Sequence, residues 1–359
     1  MTKHSNKTKE KELSCLAKCR DNLRKHPQLR FLFFELTKQC NLSCLHCASS
    51  CTPSKDQPKL TLQAISGVLQ QVKRRYSTKK ILVCLTGGEP LLHPEFFQII
   101  QEIDKQGFSW GITTNAMLLS DHCADEMLSA HMGSISISLD GLEETHNALR
   151  RNSQAFQHAV LGIQRLVQRK MPVQITSVVT QKTIHELDAI YEIVQQLGAY
   201  SWRILNIEPV GRAEKNVNLF LRKEQYQELL TYIVKLRNES KLHVTYGCSH
   251  YLGIPWEGKV RDFNFICGSG LFVMSIMANG DIFPCLDMQQ YKQLRQGNIF
   301  QDDVIDIWEN QFQVFRTPRE ENCVECLGCE HVRFCAGVSA HTWDFAEQKP
   351  KLCLAKVLE

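Results

Sequence analysis

The chain has 359 residues, of which 43% are hydrophobic, as expected for a globular protein of two or three domains. A formal net charge of only +4 does not indicate a nucleic-acid-binding protein, and no apolar run approaches the roughly 20 residues that a membrane span requires. Residues 1–11 are polar and basic, so we expect no secretory signal and a cytoplasmic location.

The unusual feature of the composition is the presence of sixteen cysteines. In a long chain without a secretory signal, metal binding explains them better than disulfides do. They are also unevenly distributed, with three at residues 40–47 and five at residues 323–353. This tight spacing favours metal clusters.

The first predicted element is a charged leader, residues 1–30, with a weak helical stripe. Strands are then predicted at 31–36, 80–85, 109–114, 134–139, 172–179 and 202–207, and helices at 61–75, 94–106, 121–130, 154–170 and 184–197. Helix N-caps are predicted at Thr61, Asp121 and Ser153, and C-caps at Gly107 and Gly198. This alternation predicts an α/β fold in which a parallel sheet is built from repeated βα units.

Residues with distinctive chemistry follow the ends of the predicted strands. A cysteine-rich loop follows the first strand, and a Gly-Gly-Glu-Pro run, residues 87–90, follows the second. Asn115 follows the third strand, Asp140 and Gly141 follow the fourth, and Glu208 and Pro209 follow the sixth. In barrels of this kind the active site lies at the carboxyl ends of the strands, so we expect these residues to meet there.

The cysteine-rich loop contains Cys40, Cys44 and Cys47 in the spacing C-x3-C-x2-C. Thiolates are soft ligands that suit zinc or iron–sulfur clusters. A structural zinc site would need a fourth ligand, for which His46 and Cys51 are the nearby candidates. Since [4Fe–4S] clusters otherwise take four cysteines, three on one loop leave one iron open to a small molecule, which is the interpretation we favour.

The predicted elements after residue 210 are sparser. A helix is predicted near 222–239, a hairpin at 271–277 and 281–283 around Asn279-Gly280, and a helix at about 303–315. We divide the chain into a leader at 1–30, a barrel at 31–210, a helical bridge at 211–247 and a cysteine-rich domain at 248–359. The last domain has few apolar runs, so metal is expected to supply part of its folding free energy.

The cysteine spacing together with Thr86-Gly87-Gly88-Glu89-Pro90 resembles the radical S-adenosylmethionine (SAM) enzymes over residues 31–210. The resemblance implies a partial (β/α)6 barrel and a [4Fe–4S] cluster whose open iron binds SAM. It also implies reductive cleavage of SAM to methionine and a 5′-deoxyadenosyl radical, with an electron donor such as ferredoxin or flavodoxin. The SAM contacts that it implies are Gly87, Gly88, Glu89, Pro90, Asn115, Ser138, His146 and Arg150, with His46 as either a shield of the cofactor or a surface imidazole.

The tail resembles a SPASM domain, an extension that carries auxiliary iron–sulfur clusters. Cys267 followed by Gly280-x4-Cys285 matches its opening, and the spacing of Cys326, Cys329 and Cys335, with Cys353 later, matches its close. The resemblance implies one or two auxiliary [4Fe–4S] clusters, the second of them held by Cys326, Cys329, Cys335 and Cys353.

One position departs from the SPASM pattern. The family has a further cysteine where this chain has Ser339, so the first auxiliary cluster keeps only Cys267 and Cys285 as matched ligands. Cys323 and Cys248 are the candidates to complete it. The alternatives are that one iron stays open or that these two are ordinary thiols.

Four segments resemble the radical SAM enzymes encoded beside small putative lipoproteins: residues 47–51, 107–111, 208–212 and 296–299. That resemblance implies a peptide or lipoprotein-precursor substrate modified by crosslinking, oxidation or epimerisation. The alternatives are a radical SAM enzyme acting on a small-molecule or cofactor precursor, and a non-catalytic metal scaffold or electron carrier.

Overall fold

The computed structural model describes residues 3–247, 250–288 and 290–359. Its strands are β1 (Phe31–Glu35), β2 (Leu82–Thr86), β3 (Ser109–Thr114), β4 (Ser134–Ser138), β5 (Val173–Val179), β6 (Ser201–Asn206), β7 (His243–Tyr246), β8 (Val273–Ile276), β9 (Asp281–Phe283), β10 (Gly297–Asn298), β11 (Trp343–Asp344) and β12 (Lys349–Pro350). Each of the six predicted barrel strands is present. The four-residue β7 was missed, because so short an edge strand has no distinct sequence period.

The α-helices are α1 (Lys3–Lys25), α2 (Leu62–Arg75), α3 (Phe96–Lys105), α4 (Asp121–Ser129), α5 (Glu143–Arg150), α6 (Ala155–Gln168), α7 (Leu187–Gln196), α8 (Lys223–Glu239), α9 (Val304–Asp306), α10 (Gln313–Arg316), α11 (Val332–Cys335) and α12 (Leu354–Leu358). Within the described residues, no helix is both long enough and apolar enough to cross a membrane. The sequence did not predict α5.

Two predicted helix caps were wrong by one residue. Ser120, not Asp121, caps α4, because its side chain accepts a hydrogen bond from the Cys123 amide. The cap of α6 is Gln154, not Ser153. Thr61 does cap α2, accepting from the Ala64 amide, and Gly107 and Gly198 both have positive φ angles just after their helices.

One ten-stranded sheet organises the chain, in the strand order β10-β9-β8-β1-β2-β3-β4-β5-β6-β7. Strands β1 to β7 are parallel, each beside the next in the chain. The predicted tail hairpin, β8 and β9, extends this sheet, because β8 pairs in parallel with β1. The fold is therefore the expected α/β partial barrel, and its first strand is hydrogen-bonded directly to the cysteine-rich tail.

The two faces of the barrel strands differ in polarity. On β4, Ile135 and Ile137 are buried, and Ile137 lies near Gly162 of α6. Ser136 and Ser138 are half-buried and, since side chains alternate along a strand, point to the opposite face. The Ser136 hydroxyl is 2.6 Å from that of Thr176 on β5. The face away from the helices is therefore polar and suited to a polar ligand.

The predicted helix at 303–315 is interrupted. Residues Ile307–Gln311 form a π-helical turn between α9 and α10. The guanidinium of Arg316 donates to the carbonyls of Trp308 and Glu309, and so binds backbone oxygens that a regular helix would use in its own ladder. A side chain that enters the ladder in this way distorts a helix.

Candidate functional site

The cysteine-rich loop follows β1 at the carboxyl edge of the sheet. Cys40 and Cys44 are each 8% exposed, and Cys47 is half-buried. They pack with Leu42, Cys51 and Ala155 in a small apolar cluster. Burial raises the pKa of the Cys40 thiol to about 12, so this sulfur needs a metal or a cation to hold it as a thiolate.

The segment after β6 holds this loop in place. Arg212 donates from Nε to the Cys44 carbonyl at 2.8 Å and from Nη1 to the Cys51 carbonyl at 2.5 Å. The Asn216 side-chain amide donates to the Leu45 carbonyl at 3.1 Å. Gly211 has φ +60°, and a Cβ there would lie 2.0 Å from the Ala48 carbonyl oxygen. Segment 211–216 therefore clamps the cysteine loop, a role that its sequence did not reveal.

The Gly-Gly pair after β2 lies against the backbone that leads into the cysteine loop. The Gly88 amide donates to the Thr37 carbonyl at 2.7 Å, and the Glu89 amide donates to the Gln39 carbonyl at 2.9 Å. A Cβ at Gly88 would lie 2.1 Å from the Gln39 oxygen, and Gly87 has φ +149°. These positions therefore need glycine to bring two backbone segments together, whatever ligand they contact.

The carboxylate of Glu89 is 1% exposed and already accepts three hydrogen bonds. The donors are the Thr114 hydroxyl at 2.7 Å, the Asn115 amide at 2.8 Å and the Leu91 amide at 3.2 Å. Burial raises the pKa of Glu89, although these donors oppose the rise. Glu89 thus connects the ends of β2 and β3, and its predicted contact with SAM would use its remaining lone pair. Pro90 is buried beside it.

Two polar side chains reach the sulfurs of the cysteine loop. The Asn115 side-chain amide lies 3.8 Å from Cys40 Sγ and donates to Asn41 Oδ1 at 2.8 Å. Arg150 Nη1 lies 3.9 Å from Cys44 Sγ, and its Nε donates to Asp140 Oδ2 at 2.7 Å. Both predicted site residues therefore lie beside the three thiols, where they could stabilise negative charge on sulfur.

Asp140 is the centre of a buried network. Its backbone amide donates to His146 Nδ1 at 3.0 Å, and its Oδ2 lies 3.7 Å from His46 Nε2. Burial alone would raise the pKa of Asp140, but the Arg150 guanidinium lowers it to about 2. Burial lowers the pKa of His46 to about 4 and, with Arg150, that of His146 to about 3. Arg150 therefore carries the positive charge of this network at neutral pH.

His46 lies within this network rather than on the surface, and its Nδ1 is buried without a hydrogen-bond partner in the described part of the chain. Ser138 lies at the end of β4 on the polar face of the barrel. Of the predicted SAM contacts, His46, Asn115, His146 and Arg150 are joined by contacts around the cysteine loop. Ser138 has no such contact in the described structure, and its role stays a prediction.

The sequence offered Cys51 as a candidate fourth ligand of a zinc site, and the structure places its side chain against that of Cys47. A hydrogen bond between the two side chains lowers the pKa of Cys47 to about 6 and raises that of Cys51. Cys51 is 2% exposed. Its thiol is therefore placed to donate to the sulfur of a predicted cluster ligand.

A second group of thiols lies in the tail. Cys326, Cys329, Cys335 and Cys353 line one small cavity. Cys323, which the sequence offered to the first auxiliary cluster, is fully buried and hydrogen-bonds the Cys326 thiol instead. Cys323 therefore lies at the second site in this structure.

The two remaining described tail cysteines meet at one short segment. Cys267 Sγ accepts a hydrogen bond from the Ala340 amide at 3.4 Å, and the Cys285 thiol hydrogen-bonds the His341 ring. Ser339 stands where the SPASM pattern has a cysteine. It is fully buried and directly precedes the two residues that make these contacts. Cys248 lies outside the described residues. Cys267 and Cys285 thus contact neighbouring residues of segment 339–341, and Cys267 also packs in the same apolar cluster as Cys323, Cys326, Cys335 and Cys353.

Two family models match this chain. Residues 34–194 match the radical SAM superfamily, and residues 267–330 match SPASM, described as an iron–sulfur cluster-binding domain. The chain contains a radical SAM domain, followed by a SPASM domain. The predicted assignment of the barrel and of the cysteine-rich tail is therefore confirmed.

Several characterised radical SAM proteins are similar over most of the chain. The AdoMet-dependent heme synthase of Methanosarcina barkeri is 29% identical over 342 residues, covering 89% of this chain and 95% of the relative. The mycofactocin maturase MftC of Mycolicibacterium smegmatis is 27% identical over 315 residues, covering 85% and 76%. The crystal structure of Streptococcus suis SuiB bound to its precursor peptide SuiA is 19% identical, with a TM-score of 0.72, covering 88% and 73%.

The residues of this chain fit the [4Fe–4S] clusters and the SAM that its two domains imply. Cys40, Cys44 and Cys47 offer three thiols in a buried pocket, with Arg150 and Asn115 at the sulfurs. The second tail site offers four thiols around one cavity. Cysteine thiolates are the usual protein ligands of such clusters.

Proposed function

We propose that this protein removes a hydrogen atom from a residue of a peptide or lipoprotein precursor. When bound, the reduced cluster supplies the electron that cleaves SAM to methionine and a 5′-deoxyadenosyl radical. The chain's own part is to hold the cofactors through Cys40, Cys44 and Cys47 and to place the substrate beside them. Loss of a further proton and of an electron, which an auxiliary cluster would accept, would leave a crosslink or an oxidised side chain, whereas return of a hydrogen from a thiol would leave an epimerised residue.

The observation that carries this proposal is an open cleft of about 290 Å³ beside the cysteine loop. Three segments form its walls: the loop itself, the start of the clamp segment 211–216, and the segment that follows Cys285 in the SPASM domain. The residues that line it are Ala48, Ser49, Ser50, Val210, Gly211, Glu214, Leu286, Met288, Gln290 and Tyr291. A substrate in this cleft would touch both the SAM-binding domain and the SPASM domain.

The chemistry of the cleft suits a polypeptide. Its described lining contains small, apolar and amide side chains with one acid, Glu214, and no Lys or Arg. Glu214 is paired at 3.1 Å with Lys351, which is not among the lining residues. A small molecule rich in carboxylates would call for guanidinium or ammonium partners in the lining. An extended peptide requires only apolar contacts and exposed backbone groups, which this lining offers.

The relatives support both kinds of substrate. MftC is named as a maturase, and SuiB, which shares the fold, was crystallised with a precursor peptide. The M. barkeri heme synthase favours a second candidate, action on a tetrapyrrole-type cofactor precursor, because the similarity spans nearly all of that protein. The lipoprotein partner and the ferredoxin or flavodoxin donor stay predictions.

The test has two stages. Anaerobically reconstituted protein should release 5′-deoxyadenosine from SAM when dithionite supplies the electron. The protein is then co-expressed with each small open reading frame beside its gene, and the peptides are examined by mass spectrometry. A peptide lighter by two hydrogen atoms, or an unchanged mass with a D-residue after hydrolysis, supports the proposal. Unmodified peptides together with a heme absorption band from added porphyrin precursors would replace it with the second candidate.

A further inference from the structure

We propose that His341 takes the ligand position that Ser339 leaves vacant, so that an imidazole completes the first auxiliary cluster. This proposal rests on the SPASM assignment and is independent of whether the substrate is a peptide. It concerns the site formed by Cys267, Cys285 and residues 339–341, which we call the first auxiliary site.

The imidazole of His341 lies where a ligand is needed. It is two residues after Ser339 and hydrogen-bonds the thiol of Cys285, one of the two matched cysteines. The other matched cysteine, Cys267, contacts the Ala340 amide, immediately before His341. His341 is only 8% exposed. Two thiols and one buried imidazole therefore surround a single short segment.

The other contact of His341 is typical of a metal-bound histidine. Its Nε2 lies 2.5 Å from Glu208 Oε2, which leaves Nδ1 to contact the Cys285 thiol in the metal-free chain and to bind iron when the cluster is present. A histidine that binds a metal almost always donates its second ring N–H to a carboxylate or a carbonyl, which fixes the tautomer and orients the ring. Imidazole also replaces cysteine on iron in other iron–sulfur proteins, where it raises the reduction potential.

Glu208 is itself held rigidly. Its second oxygen, Oε1, lies 2.7 Å from Nε2 of the buried His250, so one carboxylate joins two imidazoles. Glu208 follows β6 of the barrel, whereas His341 belongs to the SPASM domain. The Glu208 carboxylate thus fixes the His341 ring from the barrel side. His341 is predicted to bind the cluster, whereas His250 is predicted only to hold Glu208.

The cysteine count of the described tail agrees with this assignment. Cys323 hydrogen-bonds Cys326 at the second site, and Cys326 lines the cavity there with three further thiols, those of Cys329, Cys335 and Cys353. Among the described tail cysteines, Cys267 and Cys285 are those that contact segment 339–341. With His341, three ligands are present, and one iron is left for Cys248 or for a substrate.

The experiment uses the full chain carrying Cys40→Ala, Cys44→Ala and Cys47→Ala, so that only the tail clusters remain. After anaerobic reconstitution and reduction, pulsed electron paramagnetic resonance should detect strong coupling to a directly bound ¹⁴N. Adding His341→Cys should abolish that coupling and leave the tail iron content unchanged, because a thiolate replaces the ring. His250→Gln is the matched control and should keep the coupling.

Three results would overturn the proposal. One is the absence of ¹⁴N coupling from the parent protein when its tail holds the iron of two clusters. Another is a coupling that persists in the His341→Cys variant. A tail that holds the iron of one cluster only, with the same iron content in the His341→Cys variant, would also contradict it. Substrate identity affects none of these readouts.

Discussion

At the scale of the residue, Gly88 permits a close backbone contact because its side chain is a single hydrogen atom. The glycine pair was predicted as a cofactor contact, and the structure adds a requirement that exists without any cofactor. The segment through Gly88 lies so close to Gln39 and Cys40 that no side chain fits between them. The cysteine loop and the Gly-Gly segment therefore fold as one unit.

Gly88→Ala should lower the free energy of unfolding of the iron-free protein by about 1–3 kcal/mol, the usual cost of overpacking a close contact. Gly67→Ala is the control, since Gly67 lies within α2 with nothing within 4 Å of its added Cβ. That change should be neutral or stabilising by about 0.5–1 kcal/mol. Urea unfolding measures both. Equal stability of the two variants would show that the close contact is absent in solution.

Glu89 allows a second test at this scale. Glu89→Gln converts one acceptor oxygen into an NH₂ group that faces a buried donor. The free energy of unfolding should fall by about 1–3 kcal/mol even without SAM, because a buried donor is left unpaired. The exposed Glu144→Gln is the control. An unchanged stability of Glu89→Gln would mean that Glu89 serves the cofactor alone.

Some residues of the site could be predicted and others could not. The sequence singled out the three cysteines of the loop because the ligands of one metal cluster often lie close in sequence, and their role as cluster ligands stays a prediction. Arg212 could not be found in this way, because its contact with the Cys44 carbonyl joins residues far apart in the chain. The same distance hid the contact of His341 with Glu208. The spacing of residues in the sequence can indicate ligands that lie on one loop. Contacts such as those of Arg212 and Glu208 form only in the folded chain, so the sequence does not show them.

At the scale of the element, the clamp segment 211–216 connects the end of β6 to the cysteine loop. It should therefore control how well the loop retains iron. Arg212→Lys cannot keep both side-chain bonds, to the Cys44 and Cys51 carbonyls, each worth about 0.5–1.5 kcal/mol. We expect iron to be lost from the barrel site faster under air, with tail iron unaffected.

Arg203→Lys is the matched control for the clamp, because Arg203 donates only to the Gly247 carbonyl among the contacts described. Iron content measured over time in air, in a background lacking the tail cysteines Cys326 and Cys329, reports the barrel site. Identical rates of loss in the Arg212 and Arg203 variants would argue against a clamping role.

Element prediction succeeded where the hydrophobic period was long. Helices α2, α3, α6 and α7 and all six barrel strands were found because each has a buried face that repeats over several residues. Helix α5 was missed because its eight residues are mostly polar and its buried residues include His146 and Arg150. These two contact Asp140 in a buried polar network rather than an apolar core, so the helix lacks the usual apolar pattern.

At the scale of the whole molecule, the SPASM tail continues the barrel's sheet through β8 but contains little regular structure after residue 317. Five of its cysteines pack in a separate apolar cluster with Tyr251, Phe334 and Trp343: Cys267, Cys323, Cys326, Cys335 and Cys353. A region with so few hydrogen bonds in helices and strands is expected to depend on bonds between its cysteines and metal for stability.

Removing iron with a chelator should therefore loosen the tail selectively. Amide hydrogen exchange should rise strongly in residues 319–359 and little in β2 to β5, whose amides lie in the parallel ladder. Comparable protection of the tail before and after chelation would contradict a folding role for the metal.

The most direct test of the account is SAM cleavage by the full chain carrying Cys40→Ala, Cys44→Ala and Cys47→Ala together. The control carries Cys15→Ala and Cys19→Ala, two exposed thiols on α1. With SAM and dithionite under anaerobic conditions, the control should form 5′-deoxyadenosine, and the triple variant should form none while keeping its tail-bound iron. Formation of 5′-deoxyadenosine by the triple variant would contradict the assignment of these three cysteines as the ligands of the SAM-binding cluster.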